Sequence, residues 1–277
     1  MNQTYKNIEL LIVDDGSFDE TAEIIKSYRD KRIKRIKHHR NSGLPKALNT
    51  GFAYAVGSYL TWTSHDNQYL PGAIEEMVTF LKENNDVDFV YADCWLKDLD
   101  TGYTELRKAP DALDLSTGNR LMSACFLYTR RVFETVGYYD SRYRLVEDYD
   151  YWIRVTKKFQ ARHYSKALYY YGLHSESLTR TVPYSVMLLT QILKYKNGFI
   201  TLSKMSDFIY ESNNMPRDII PYLKSIISIS TRSFEFCILC SISSLHTLVQ
   251  AFPKYLRKFL LSLSFQFSTR IKSIALD

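Results

Sequence analysis

Acidic and polar side chains recur in short clusters along the first half of the chain: Asp14-Asp15-Gly16-Ser17, Ser64-His65-Asp66-Asn67 and Asp93. Glu147-Asp148 and a lone His174 follow. Carboxylates and imidazoles of this kind can hold a divalent cation, accept hydrogen bonds from a ligand, or take a proton from a reacting hydroxyl. Each cluster also has a plain structural use. Asp-Asp-Gly-Ser suits a strand-end turn leading into a helix, and acidic residues at a helix start favour its dipole. The elements that carry the clusters discriminate between these uses.

Ile8–Val13 is a short apolar run, as expected of a strand buried in a parallel sheet, and it ends at Asp14-Asp15. A helix follows to about Arg29, with Ser17 as N-cap and Glu20 completing a capping box. A strand is expected around Ile33 and Ile36, a helix from Pro45 through Ala55, and a strand over Tyr59–Thr63. A helix from Pro71 to Glu83 and a strand over Asp88–Asp93 complete the alternation. Strand alternating with helix predicts an α/β fold with a mainly parallel sheet flanked by helices. Ligands of such sheets bind at the C-terminal strand ends, where Asp14-Asp15, Ser64–Asn67 and Asp93 all fall. Three such endings point to a site. Beyond them come a strand over Met122–Thr129, a helix over Arg130–Val136 closed by Gly137, a helix over Glu147–Lys157, and a tyrosine-rich strand or pair of strands over His163–Leu173.

The chain has 277 residues, 45% hydrophobic and 24% charged, which suits a folded domain plus an appendage. Its 22 tyrosines suit either a sugar-binding surface or an aromatic core. Residues 1–183 hold 25 Lys+Arg and 25 Asp+Glu, so the net +6 lies in residues 184–277. That region is expected to be a helical, basic and apolar extension, with apolar stretches at 186–193, 219–231 and 233–252. Glu235 and His246 argue against a transmembrane span. Lys254, Arg257 and Lys258 beside Tyr255, Leu256 and Phe259 fit either a peripheral membrane contact or a solvated helical face. Cys237 and Cys240 lack the partners of a zinc set, and Cys94, Cys125 and this pair fit free thiols in a reducing cytosol. MNQTYKNIEL has no signal-peptide pattern.

Asn2 through Ser17, with its Leu-Ile-Val-Asp-Asp-Gly-Ser ending, closely resembles the signature of the inverting GT-A glycosyltransferases, often called family two. Asn41-Ser42-Gly43 with Ala47, Asn49 and Gly51 resembles that family's helix entry, and Gly57-Ser58-Tyr59-Leu60-Thr61 its strand leading to a metal site. Gly137-Tyr138-Tyr139-Asp140 and Glu147–Trp152 resemble its acceptor region, and His174 within Tyr171–Leu178 its His-x-x-Ser-Leu element. The resemblance covers residues 1–183 and rests on the order of five elements. It implies a Rossmann-like GT-A fold and a nucleotide-diphosphate-sugar donor, UDP-sugar before dTDP-sugar. A glycan or lipid-linked acceptor is implied, and no nucleic acid.

Residue by residue, the resemblance implies that Asp14, Asp15, Ser17, Asn41 and Gly43 contact the nucleotide. Asp148 is the implied general base, with Glu147 orienting or assisting it. Asp66, with His174, is implied to hold Mg2+ or Mn2+. Ser64 stands where the family's first metal aspartate is usual, and serine is a poor ligand for a hard cation. Trp152 and Asp93 are expected acceptor contacts, Trp152 being equally suited to the core. Members normally begin with an apolar strand ending near Pro-x-Tyr-Asn, which is not found before Asn2, so an upstream start is expected. The leading expectation is a cytoplasmic enzyme, peripheral on the inner face of the membrane. The alternatives are an inactive homologue that binds partners or membrane, and a nucleotidyltransferase, which leaves Glu147-Asp148 unexplained.

Overall fold

The computed structural model describes residues 1–119, 125–177, 181–201 and 203–204. The expectations for 219–231, 233–252, Cys237, Cys240, Lys254, Arg257 and Lys258 lie outside the described residues, as does the start of the strand expected from Met122. The chain divides into two compact units, Met1–Val186 and Met187–Asp277.

The first unit opens with β1 (Leu10–Asp14), α1 (Thr21–Ser27) and β2 (Ile33–Lys37). β1 and β2 pair in parallel, from Leu10 opposite Ile33 to Asp14 opposite Lys37. The apolar residues Leu10–Val13 give the strand, and α1 is the crossover that parallel pairing requires. α1 starts later than its capping pattern predicts. Asp14 Oδ1 accepts the Ser17 N–H at 2.8 Å and Asp19 Oδ1 the Thr21 N–H at 3.1 Å. The Ser17–Glu20 capping box therefore does not form, because the strand-end aspartate closes the turn first. α2 (Leu44–Tyr54) follows, with Pro45 in its first turn, where a missing N–H costs nothing.

β3 (Tyr59–Leu60), β4 (Gln68–Tyr69), α3 (Ala73–Glu83), β5 (Phe89–Asp98) and β6 (Thr104–Arg107) come next. Then follow β7 (Phe126–Thr129), α4 (Arg130–Val136), α5 (Glu147–Thr156) and β8 (Ala161–Leu173). These strands form one sheet in the order β3-β7-β5-β8-β4, with β6 also on β5. Only β5–β8 is parallel there; β3–β7, β4–β8, β5–β6 and β5–β7 are antiparallel. The α/β class stands, but the sheet is mixed rather than mainly parallel. β5 turns straight back into β6 without a crossover helix, and a direct reversal can only pair antiparallel. β6 is absent from the sequence reading because its Thr-Glu-Leu-Arg is exposed throughout and lacks an apolar pattern. The second unit takes most of α6 (Pro183–Lys196). No described helix is long and apolar enough to cross a membrane.

β5 is the central strand and its alternation builds two cores. Val90, Ala92 and Cys94 belong to a cluster with Ala73, Met77, Val78 and Leu81 of α3. Phe89 and Tyr91 belong to an aromatic layer in which Phe89 lies 5.1 Å, and Phe126 4.6 Å, from the Trp152 ring. Tyrosines fill both cores: Tyr91, Tyr128, Tyr149 and Tyr151 are fully buried, as is Tyr169 in the cluster under α3. Cys94 and Cys125 are free, buried thiols. The two sheets are linked where Glu9 Oε1 accepts the Val56 and Gly57 N–H groups at 2.6 and 3.1 Å, just ahead of β1 and β3.

Candidate active site

The end of β1 is the first wall of the site. Asp14 is nearly buried, and the Ser17 N–H lowers its carboxyl pKa against the opposing effect of burial. Its Oδ2 stands 3.4 Å from Lys37 Nζ at the end of β2. Asp15 points the other way. Its carboxylate accepts the N–H groups of Ser42 at 3.0 Å and Gly43 at 2.7 Å, satisfying the turn before α2, and meets His38 Nδ1 at 2.6 Å. Gly16 has φ +80°, and a side chain there would meet the Arg40 carbonyl carbon at 2.6 Å and the Asn41 nitrogen at 2.7 Å. Only glycine lets β1's exit lie against the Arg40–Asn41 backbone. The structure thus brings Asp14, Asp15, Ser17, Asn41 and Gly43 into one neighbourhood. Arg144 reaches it from the far side, its guanidinium lying beside Gly43.

The second wall follows β3. His174 Nε2 lies 3.2 Å from Asp66 Oδ2, and Asp66 Oδ1 is buried without a hydrogen-bond partner. The backbone makes this approach possible at Gly172, where a side chain would stand 2.3 Å from the Asp66 carbonyl oxygen. The Gly172 N–H also donates to Asn67 Oδ1 at 2.9 Å, and the Ser64 hydroxyl accepts from the Asn67 amide. Among the described residues no three His, Cys, Asp or Glu side chains converge as a metal cluster. The Asp66 oxygen and the His174 nitrogen are the donors this wall offers.

The third wall is the start of α5. Asp148 Oδ2 accepts from the Asn119 amide at 2.8 Å and Oδ1 from the Tyr149 N–H at 2.7 Å. Burial raises the Asp148 pKa, and these two donors resist it. Burial also raises Glu147, with the neighbouring Asp148 charge adding to the effect, and Glu147 Oε2 has no partner. Burial thus raises both adjacent carboxyls, but only Asp148 has a side-chain donor together with a neighbouring backbone donor to oppose the rise, so the two sit in unlike settings. Leu145, two residues before Glu147, has φ +85°, a strained conformation for leucine. Its N–H helps to lower the Glu147 pKa, as does the charge of Arg144. The second and third walls are braced together by Trp62 Nε1, which donates to Tyr139 Oη at 2.9 Å. The Tyr139 ring stacks on Tyr151 at 4.1 Å.

The two expected acceptor contacts fall elsewhere. Trp152 is 1% exposed, wedged against Phe89 and Phe126, so no ring face is open to a sugar and it is a core residue. Asp93 is buried, its Oδ1 accepting from the Ala109 N–H at 2.8 Å and facing His163 Nε2 at 2.7 Å. It braces β5 against β8 and the segment after β6. The sequence reading missed Asn119, Arg144 and Gly172, and placed Tyr139 only within an acceptor region. Only Gly172 carried a local signal, since glycine inside a strand marks a close backbone approach.

A family model, Glycosyl transferase family 2, matches residues 1–149. The chain belongs to this family. An uncharacterized glycosyltransferase of Rickettsia prowazekii is 32% identical over 212 residues, 72% of this chain and 64% of that protein. The chain thus spans just under two thirds of that relative's length. The UDP-Glc:alpha-D-GlcNAc-diphosphoundecaprenol beta-1,3-glucosyltransferase WfaP of Escherichia coli is 26% identical over 197 residues, covering 70% of this chain and 77% of that one. Among solved structures, S. aureus TarS 1–349 in complex with UDP-GlcNAc is similar with a TM-score of 0.55 at 17% identity. That likeness covers 96% of this chain and 82% of that one and establishes the GT-A architecture. Within the family match lie all three walls except Tyr151, Gly172 and His174.

Proposed function

We propose that the protein is an inverting glycosyltransferase that moves a sugar from a UDP-sugar to a glycan or lipid-linked acceptor. The observation that carries this is the adjacent Glu147–Asp148 pair at the start of α5, with Asp148 oriented by the Asn119 amide at 2.8 Å and the Tyr149 N–H at 2.7 Å. Asp148 takes the proton of the acceptor hydroxyl as that oxygen bonds to the anomeric carbon. The bond from that carbon to the diphosphate oxygen breaks on the opposite face, its electron pair leaving with UDP, so the configuration inverts. Asp14, Asp15, Ser17, Asn41 and Gly43 line the nucleotide side in this reading. The UDP-glucose and diphosphoundecaprenol in the name of WfaP, and the UDP-GlcNAc bound to TarS, support the donor class and a lipid-linked acceptor.

Asp66 and His174 suit a divalent cation, since an unpartnered buried carboxylate oxygen beside an imidazole is an incomplete donor set for one. Mg2+ or Mn2+, when bound, supplies positive charge against the leaving diphosphate. Residues 1–183 form the transferase part of this proposal. Residues 184–277, which carry the basic excess, make the peripheral contact with the inner membrane face.

A second reading, an inactive homologue, is favoured by Ser64, whose hydroxyl is turned to Asn67 rather than offered to a cation. Thermal unfolding of the 277-residue chain with UDP, with and without Mn2+, separates the two. Ligand at about 100 times its Kd stabilises the native state by roughly 2.7 kcal/mol. A Mn2+-dependent shift, followed by turnover of a UDP-sugar, is expected; cooperative melting unmoved by UDP or dTDP rejects the transferase reading.

A further inference from the structure

The turn that leaves β2 carries an unusual run, Lys37-His38-His39-Arg40, and lies over α2. Between them is an open cleft of about 580 Å³, whose lining includes those four residues with Lys46 and Thr50 of α2. No carboxylate lines it. Residues 1–183 are electrically balanced, so this is a local concentration of positive charge rather than the average of the unit.

The basic side chains of the cleft divide into two sets. Lys37 faces Asp14, and the His38 ring is held between Asp15 and Thr50 Oγ1, the latter at 2.9 Å, so both of these already have partners. The side chains of His39, Arg40 and Lys46 are exposed, and among the described residues none of them makes a hydrogen bond or ion pair. The turn that holds them is itself pinned. Its backbone at Arg40 and Asn41 lies against Gly16, and its Ser42 and Gly43 N–H groups are tied to Asp15. An unpaired guanidinium on a braced turn, with an unpaired lysine in the first turn of α2, suits a compact polyanion. The guanidinium offers a planar fork for phosphate oxygens and the ammonium a point charge.

We propose that this cleft binds a phosphate or pyrophosphate group, with Arg40 and Lys46 as its principal contacts and His39 beside them. Two sources carry that chemistry: the diphosphate of a nucleotide donor, and a phosphate on the acceptor. The proposal stands on the cleft alone and does not require the sugar-transfer reading.

The test is calorimetric titration of the 277-residue chain with inorganic pyrophosphate, comparing wild type, Arg40→Ala/Lys46→Ala, and a control, Lys31→Ala/Lys82→Ala. All four lysines and arginines are exposed, so the variants are expected to melt like the wild type. Each lost contact to a charged group costs about tenfold in affinity, so the cleft variant is expected to bind at least about tenfold more weakly and the control unchanged. Absence of binding to the wild type, or equal losses in both variants, would overturn the proposal. Repeating the titration with UDP at saturation identifies the source. Displacement of pyrophosphate assigns the cleft to the donor, and undiminished binding that still needs Arg40 and Lys46 assigns it to a phosphorylated acceptor. Pyrophosphate binding with no UDP binding leaves the cleft standing and removes the donor reading.

Discussion

His174 Nε2 meets Asp66 Oδ2 at 3.2 Å across 108 residues of chain, and the contact exists because Gly172 lets the Asp66 backbone lie on β8. The other oxygen of Asp66 is left buried and unpartnered. Asp66→Ala is therefore expected to abolish the Mn2+-dependent part of UDP stabilisation. His174→Ala, which removes the second donor and the contact that orients the carboxylate, is expected to weaken it by at least about 10- to 100-fold. A Mn2+ response that survives in Asp66→Ala would place the cation elsewhere.

Gly172→Ala tests the same geometry from the backbone. A methyl group 2.3 Å from a carbonyl oxygen cannot be accommodated by a side-chain adjustment, because both partners are main chain. The expected cost is about 1–3 kcal/mol in urea unfolding, with loss of the Mn2+ response. Wild-type stability in this variant would show that β8 and the Asp66 segment are not in contact.

Asp148→Asn keeps the shape of the side chain and removes its basicity. Transfer is expected to fall by about 10²–10⁴-fold while UDP binding is retained. Asn119→Ala, which removes the donor that favours the ionised carboxylate, is expected to raise the apparent pKa of the activity profile. Unchanged turnover in Asp148→Asn would end its assignment as base.

Glu147 provides a pH signature in stability. Its carboxyl pKa is raised above the usual 4.5, so over the window from 4.5 up to that raised value the folded protein holds a proton that the unfolded chain releases. The native state binds more protons there, so wild-type stability falls as pH rises through the window. Asp148 contributes in the same direction in both proteins. Glutamine does not titrate, so the stability advantage of Glu147→Gln over wild type is expected to grow from pH 4.5 upward. It should reach about 1 kcal/mol or more, one pKa unit being about 1.36 kcal/mol. Melting temperatures measured from pH 4.5 to 8 decide it: a constant difference would mean that Glu147 is an ordinary carboxyl.

Sequence alone determined a good deal of this molecule. Apolar runs, prolines at helix starts and Gly137 placed most elements, and the ordered clusters from Asp14 to His174 marked the family and the residues that gather in the walls. Those signals are local: a strand buried on both faces needs consecutive apolar residues, and a turn needs its glycine, wherever the chain goes next. Pairing direction was decided only by the tertiary structure, because β5 reverses into an exposed β6 that has no apolar pattern to announce it. The fate of Trp152 was likewise undetermined, since a ring that could stack on a sugar is chemically the same ring that fills the space between Phe89 and Phe126. Asn119 beside Asp148, Arg144 beside Gly43 and the cationic cleft over α2 were invisible for the same reason. Each depends on side chains brought together from separate elements or turned to face one another, and no spacing along the chain encodes that meeting.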